Sequence, residues 1–243
     1  MGELLIQKHE IVTPGENIAK GMDYLPGQHT YRDGDFIVAS KLGLVNIDGR
    51  AIKLIQLKGA YIPKENDRII CRVKDITMNG WITDINSAYH AMLMLKEATS
   101  EFIRKGADLT KFFNMGDYII ANITNVTSQK LVDLTVRGPG LMKLTGGRII
   151  RVNTHKVPRI IGKQASMVTM IKDSTKCRII VGQNGLVWIQ GTPEDEIIAV
   201  DVIKKIERES HIPGLTDKIK EYLLKVTNKS DNKTDKQTEK KGE

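Results

Sequence analysis

Apolar residues recur at short range over the first quarter of the chain. The runs Phe36-Ile37-Val38-Ala39, Leu44-Val45-Asn46-Ile47 and Ile52-Lys53-Leu54-Ile55 are cut by Pro14-Gly15, Pro26-Gly27, Asp33-Gly34 and Asp48-Gly49. Short β-type runs punctuated by turn residues predict a small all-β unit, with Asp48-Gly49 as a two-residue hairpin whose central residues take positive φ. From Asp67 the strands lengthen: Arg68–Val73, Trp81–Ile85, Asp117–Ile123 and Leu131–Val136, with a more helical insert over Glu97–Lys111. A glycine-rich linker from Arg137-Gly138-Pro139-Gly140 to Gly146-Gly147 marks a boundary. Beyond it the pattern reads strand (Ile149–Val152), short helix (155–161), a Gly162-Lys163-Gln164-Ala165 loop, helix (Ser166–Ser174), strand (Cys177–Val181), turn, strand (Leu186–Gln190) and a long helix. That helix has Thr192 as N-cap, Pro193 at its first position, acids Glu194 to Glu196 at its positive end, an apolar stripe of Ile197, Val200, Ile203 and Ile206, and Pro213-Gly214 as its stop.

The domains predicted are thus 1–64, 65–147 and 148–224, followed by a Lys-rich tail over 225–243 that reads as disordered. Charge sharpens this picture. The chain carries a net +8, and between Arg148 and Arg178 eight Lys or Arg face one acid, Asp173. Such a basic stretch points to a polyanion partner, since phosphates are held by Lys, Arg and close backbone approach. Cys71 and Cys177 have no CxxC or Cys/His spacing and read as small core residues. With no signal pattern and no apolar run near the ~18 residues of a membrane span, a soluble protein of the reducing cytoplasm is expected.

Catalytic chemistry leaves no trace in the pattern. His29 with Asp33 or Asp35 reads as turn chemistry, Glu194-Asp195-Glu196 as a helix start, and there is no Walker A or GxGxxG sequence. Hydrolytic or phosphoryl-transfer chemistry would need clustered carboxylates or a general acid beside a phosphate pocket, and neither is found. A non-enzyme with no cofactor and no metal site is expected.

Three resemblances give the pattern a name. The middle segment, with Gly80 and Met115-Gly116-Asp117 at its turns, resembles the S1 RNA-binding domain, a five-stranded OB-type barrel. The aromatic pair on that family's binding face is reduced here to Trp81, open between barrel core and stacking platform, and its Gly-Leu-x-His element is replaced by Ser87-Ala88-Tyr89-His90-Ala91-Met92. The third segment, β-α-α-β-β-α, resembles a type I KH domain, whose GxxG loop clamps a nucleic-acid backbone. Here Ala165 stands at the last glycine, and an Ala resists positive φ; a weakened clamp and a plain helix-helix turn are both open.

Taken in order, Pro14-Gly15-Glu16 with Gly27-Gln28-His29-Thr30-Tyr31, then Gly80-Trp81-Ile82-Thr83-Asp84-Ile85-Asn86-Ser87, then Gly182-Gln183-Asn184-Gly185-Leu186-Val187-Trp188-Ile189, resemble the RNA-binding cap subunits of the archaeal exosome, the ribosomal-RNA-processing protein four family. The resemblance implies three cap subunits on a hexameric ring of phosphorolytic RNase subunits. They do no chemistry and feed the 3′ end of single-stranded RNA, preferentially A-rich, into the pore; the N-terminal domain and part of the KH domain contact the ring. A structural clamp with little RNA contact and a ribosome-associated factor are the alternatives. The fold class expected is mainly β plus α+β. The residues expected to touch RNA are Lys74, Trp81, His90, Arg104, Lys105, Lys130, Arg148, Arg151, Lys156, Arg159 and Lys163. Gly182, Gln183, Asn184 and Gly185 read as a tight two-residue hairpin turn packed against the neighbouring domain, not as a phosphate cradle.

Overall fold

A computed structural model describes residues 2–99, 108–210 and 214–225. The chain forms two compact units, 1–59 and 60–243. The predicted boundary near residue 147 falls inside the second, for reasons given below.

The first unit is all β. Its strands are β1 (Glu3–Leu4), β2 (Ile11–Val12), β3 (Asn17–Lys20), β4 (Leu25–Pro26), β5 (Thr30–Asp33), β6 (Phe36–Ala39), β7 (Gly43–Asp48) and β8 (Ala51–Gln56). They form two four-stranded sheets, β1-β3-β6-β5 and β2-β7-β8-β4. Alternation on β7 and β8 sends Val45, Ile52 and Leu54 inward to join Val12, Ile18 and Ile37. The β7-β8 turn differs in detail from expectation. Asp48 pairs with Ala51, so the central residues are Gly49 and Arg50, and of these two Gly49 takes positive φ (60°) while Arg50 does not. Thr30 fixes the Gly27-Thr30 loop, accepting from the Gly27 N–H at 2.8 Å while its hydroxyl donates to Ile52 O at 2.9 Å.

The second unit opens with a closed barrel. Strands β9 (Arg68–Thr77), β10 (Gly80–Asp84), β11 (His90–Met94), β12 (Tyr118–Val126) and β13 (Val132–Thr135) run in the order β13-β11-β10-β9-β12, and β12 pairs with β13 to close it. A short β14 (Lys143–Leu144) extends β12. Helix α1 (Leu95–Ala98) and a 3-10 turn (Leu109–Lys111) flank the insert between β11 and β12. Most of the predicted helical insert, with Arg104 and Lys105, lies outside the described residues. Trp81 is fully buried, its ring edge-on to Phe113 at 5.3 Å and its indole N–H donating to Phe113 O at 2.9 Å. Of the two readings left open for this residue, barrel core holds, and Trp81 leaves the set of RNA-facing residues.

The remainder is β15 (Arg148–Arg151), α2 (Val157–Ile161), α3 (Ser166–Thr175), β16 (Arg178–Val181), β17 (Leu186–Gln190) and α4 (Pro193–Glu209), with a terminal helical stretch at 215–225. The antiparallel sheet β15-β17-β16 lies against a core of Val157, Ile160, Ile171, Val187, Ile189 and α4 residues. On α4 the Thr192 hydroxyl accepts from Asp195 N–H, as an N-cap should. The buried stripe is Ala199, Val202, Ile203 and Ile206: Ile203 and Ile206 face inward as predicted, whereas Ile197 is exposed and Val200 only half-buried, with Ala199 and Val202 in their place.

One junction makes barrel and third domain a single unit. Strand β10 ends where Asp84 pairs with Arg72, which leaves the edge of β9 at Arg68–Ile70 open. The β16-β17 loop fills it. Gln183 N–H donates to Arg68 O at 2.9 Å. The fully buried Asn184 side chain donates to Ile70 O (2.6 Å) and Ile85 O (2.9 Å) and accepts from Ile70 N–H (3.3 Å). The loop thus acts as a surrogate strand on an edge that would otherwise be buried unpaired. Its turn has three residues, not two. Gly182 N–H still pairs with Leu186 O, and Gly185 alone takes positive φ (78°). A Cβ on Gly182 would lie 2.5 Å from Asn184 Oδ1, and one on Gly185 2.5 Å from Val152 O. Behind the loop, Ile70, Ile120, Leu141 and Leu144 of the barrel side join Leu186 and Trp188. Trp188 N–H also holds Gly146 O at 2.8 Å, so the glycine-rich linker is bound to the sheet.

Replacing Asn184 by Asp, nearly the same in shape, sets carboxylate oxygen against two carbonyls. A loss of about 3 kcal/mol is expected, as for breaking two buried hydrogen bonds and leaving their acceptors unsatisfied. Urea denaturation checks this, and an unchanged midpoint would contradict the assignment.

Candidate nucleic-acid interface

The outer surface of the barrel carries one cross-strand row. Reading across neighbouring strands, His90 pairs with Asp84, Asp84 with Arg72, Arg72 with Tyr118, and Tyr118 with Leu144. Directly opposed residues share a face, so an imidazole, a carboxylate, a guanidinium and a phenol line up over four strands. The Arg72 guanidinium sits over the Tyr118 ring, 6.0 Å from its centroid. Next to this row the β9-β10 register slips, with Val73 opposite Thr83 and Asp75 opposite Ile82, which leaves Lys74 as the bulged residue. Bulges re-aim side chains, and this one carries the Lys74 ammonium to 3.1 Å from His90 Nε2.

Three depressions follow the row and share residues. One, about 410 Å³, lies among Arg72, Lys74, Asp84, Met115 and Gly116. A second, about 130 Å³, is bounded by Arg72, Asp84, Asn86, Tyr118, Ile149 and Arg151. The third, about 350 Å³, runs from Gly116 and Tyr118 to Gly146, Gly147 and Trp188. Together they form a trough from the barrel face across the seam to β15. Alternation on β15 decides which arginine reaches it. Ile149 and Arg151 line the trough, whereas Arg148 turns to the other side, toward Glu196 at 3.8 Å.

The expected contacts therefore divide. The structure brings Lys74, His90 and Arg151 together along the trough. Arg159 and Lys163 flank a different cleft, about 460 Å³, whose other wall is formed by Gly214, Leu215, Thr216 and Asp217. Lys156 is spent on Glu207 O at 2.7 Å, and Lys130 occupies the β12-β13 turn with φ 65°. Arg72, Tyr118, Asp84 and Asn86 were missed by sequence reasoning. Arg72 could have been found, because it stands between apolar Cys71 and Val73 in a strand and so takes the opposite face. Tyr118 joins it only through barrel closure.

Within the α2-α3 loop, Gly162 has φ 77°, and a Cβ there would meet Met167 at 2.7 Å. Ala165 adopts the left-handed conformation that an alanine resists (φ 62°, ψ 16°). The loop backbone thus keeps its glycine-like path at a local cost. At the trough's far end Asp117 accepts from Asn114 N–H at 2.7 Å and is ion-paired with Lys143. Burial pushes its carboxyl up, but the Lys143 and Asn114 hydrogen bonds outweigh this and hold it below the ordinary carboxylate range. Burial pushes the Cys71 thiol up to about 12, as suits a core residue. Among the described residues no group of three or more His, Cys, Asp or Glu is placed to hold a metal ion, and no helix is long and apolar enough to cross a membrane.

A closed OB-type barrel riveted to a β-α-α-β-β-α domain, preceded in the chain by a small β unit, defines an S1-KH protein. Comparison with known proteins takes this further. A family model described as the exosome complex exonuclease RRP4 N-terminal region matches residues 11–48, and a KH domain model matches residues 147–195. The exosome complex component Rrp4 of Pyrococcus furiosus is 42% identical over 228 residues, covering 92% of this chain and 86% of that protein. That of Methanothermus fervidus is 41% identical over 223 residues, covering 91% and 98%. A crystal structure assigned to an exosome complex RNA-binding protein superposes with a TM-score of 0.64 at 30% identity, covering 70% of this chain and 98% of that one. The chain belongs to the Rrp4 family of exosome complex components.

Two outcomes follow from the local chemistry. Ala165→Gly is expected to raise stability by about 1 kcal/mol through relief of the left-handed alanine, read as a higher melting temperature. For Asp117, a folded-state pKa below the unfolded value means that its stabilisation is present above the ordinary carboxylate range, near pH 4, and is lost as pH falls through the lower folded value. Asp117→Asn should flatten the acid limb of the stability-pH curve while leaving its shape above about pH 5 unchanged.

Proposed function

We propose that this protein is a non-catalytic RNA-binding subunit of a cytoplasmic exosome. In this reading three copies sit on a hexameric ring of phosphorolytic RNase subunits, hold single-stranded RNA, favour A-rich 3′ tails and pass the 3′ end to the ring. The observation that carries the RNA-binding role is the trough, where cations from both domains (Lys74, Arg72 and Arg151) follow a groove floored by an aromatic ring. Positive charge along a groove with a stacking surface is what sequence-tolerant binding of single strands requires. The relatives named exosome components support the assembly.

Docking to the ring is assigned to the first unit. Its outer surface carries Ile11, Leu44 and Ile55 in one cross-strand row, with Ile11 59% and Ile55 50% exposed, and Met22 and Leu25 are also exposed. Apolar side chains aligned on a sheet face suit a protein partner better than a polyanion. Catalysis is left to the ring: of the trough's carboxylates, Asp84 is set in the cross-strand row and Asp117 is ion-paired with Lys143.

Binding of an oligo(A) strand measured against salt tests the reading. Each phosphate contact removed should lower the log-log salt slope by about 0.7. Arg72→Ala with Lys74→Ala is therefore expected to flatten the slope by about 1.4 and weaken binding, whereas Arg148→Ala, on the other face of β15, should change neither. Wild-type affinity in the Arg72/Lys74 double variant would sink the assignment of the trough.

A further inference from the structure

The smallest of the three depressions differs from the others in construction, because it sets a cation from each of two domains beside an aromatic ring. Arg72, Asp84, Asn86 and Tyr118 belong to the barrel, Ile149 and Arg151 to β15 of the KH domain. Its geometry depends on the rivet. Asn86, in a left-handed conformation (φ 56°), donates from its side chain to Asn184 O at 2.8 Å, and its own N–H is held by Asp84 Oδ1 at 2.8 Å. One wall is thus tied to the loop that joins the two domains. At about 130 Å³ the niche suits one ring system and no folded element.

Resting on the RNA-binding reading above, we infer that this niche is a composite subsite for a single nucleotide, in which the base turns out of the strand against Tyr118 while Arg72 and Arg151 hold the backbone on either side. Tyr118 supplies a half-buried aromatic wall, and every base has a face that can stack on it. The Arg72 guanidinium lies 6.0 Å from the centroid of that ring, so a cation for the backbone stands next to the stacking surface. Arg151 is exposed at the mouth and comes from the other domain, so phosphates flanking the lodged nucleotide meet cations from both sides of the seam. Asp84 is an acceptor without donors; it repels phosphate and leaves the inner wall to a base edge bearing N–H groups. The rivet then has a role beyond stability, since it holds Tyr118 and Arg151 at a fixed separation before RNA arrives and so lowers the ordering cost of binding.

A double-mutant cycle on the full chain with single-stranded RNA of about 12 nucleotides tests this. Tyr118→Leu keeps apolar bulk at the seam and is expected to weaken binding at least about tenfold with an unchanged salt slope, while Tyr118→Phe binds like wild type. Arg151→Ala is expected to lower the slope by about 0.7. Because both residues serve one nucleotide, the double variant should lose less than the product of the single losses. Multiplicative losses, or a Tyr118→Leu affinity within about twofold of wild type, overturn the composite niche. If Lys74→Ala, outside the niche, still weakens binding in that case, the niche alone falls; if the wild-type chain binds no RNA, both readings fall.

Discussion

The side chain of Asn184 is the interaction on which the rest depends. It is buried completely, and its three hydrogen bonds go to main-chain groups of Ile70 and Ile85 in the barrel. An amide can do this because it carries donor and acceptor side by side, matching the N–H and C=O that a β edge presents. Neither Asp nor Leu of similar size could replace it. The glycines on either side follow from the same requirement. Gly182 has no room for a Cβ because Asn184 Oδ1 and Ile70 N stand there, and Gly185 turns the chain away beneath Val152 O.

From that rivet the surface follows. Holding β9 against the β16-β17 loop brings β15 alongside the outer barrel row, so Arg151 faces Tyr118 and Arg72 across one seam. The basic character of the third domain is not gathered into one patch. Arg148 turns to Glu196, Lys156 to a carbonyl at the end of α4, and Arg159 and Lys163 to the cleft beside residues 214–217. Net charge raises the local concentration of polyanion, while the few cations along the trough give it a path.

Regular elements were legible in the sequence because local rules decide them. Thr192 and Pro193 start α4 where capping chemistry places it, and the run Arg68–Val73 lies in strand β9 as expected. What escaped depends on contacts between distant residues. Trp81 is core because the barrel closes over it and offers Phe113 O to its indole N–H. Tyr118 becomes a site residue only when β12 meets β9. On α4, Ile203 and Ile206 face inward as expected, but Ala199 and Val202 take the buried places expected for Ile197 and Val200. The Asn184 turn has three residues because Gly182 remains in the ladder, which composition alone does not reveal. Ala165 shows the opposite case: local preference argued against the left-handed conformation, and the surrounding helices impose it.

The open edge of β9 also bears on how the chain is made. Arg68–Ile70 leave the ribosome more than a hundred residues before Gln183 and Asn184, yet the outward-facing main-chain groups of Arg68 and Ile70 are paired with that loop. Until then the barrel carries a hydrated, unfinished edge, open to pairing with other nascent chains. Completion of the barrel is thus deferred to the synthesis of the KH hairpin, and the two domains should exchange their amide protons as one cooperative block despite their separate cores.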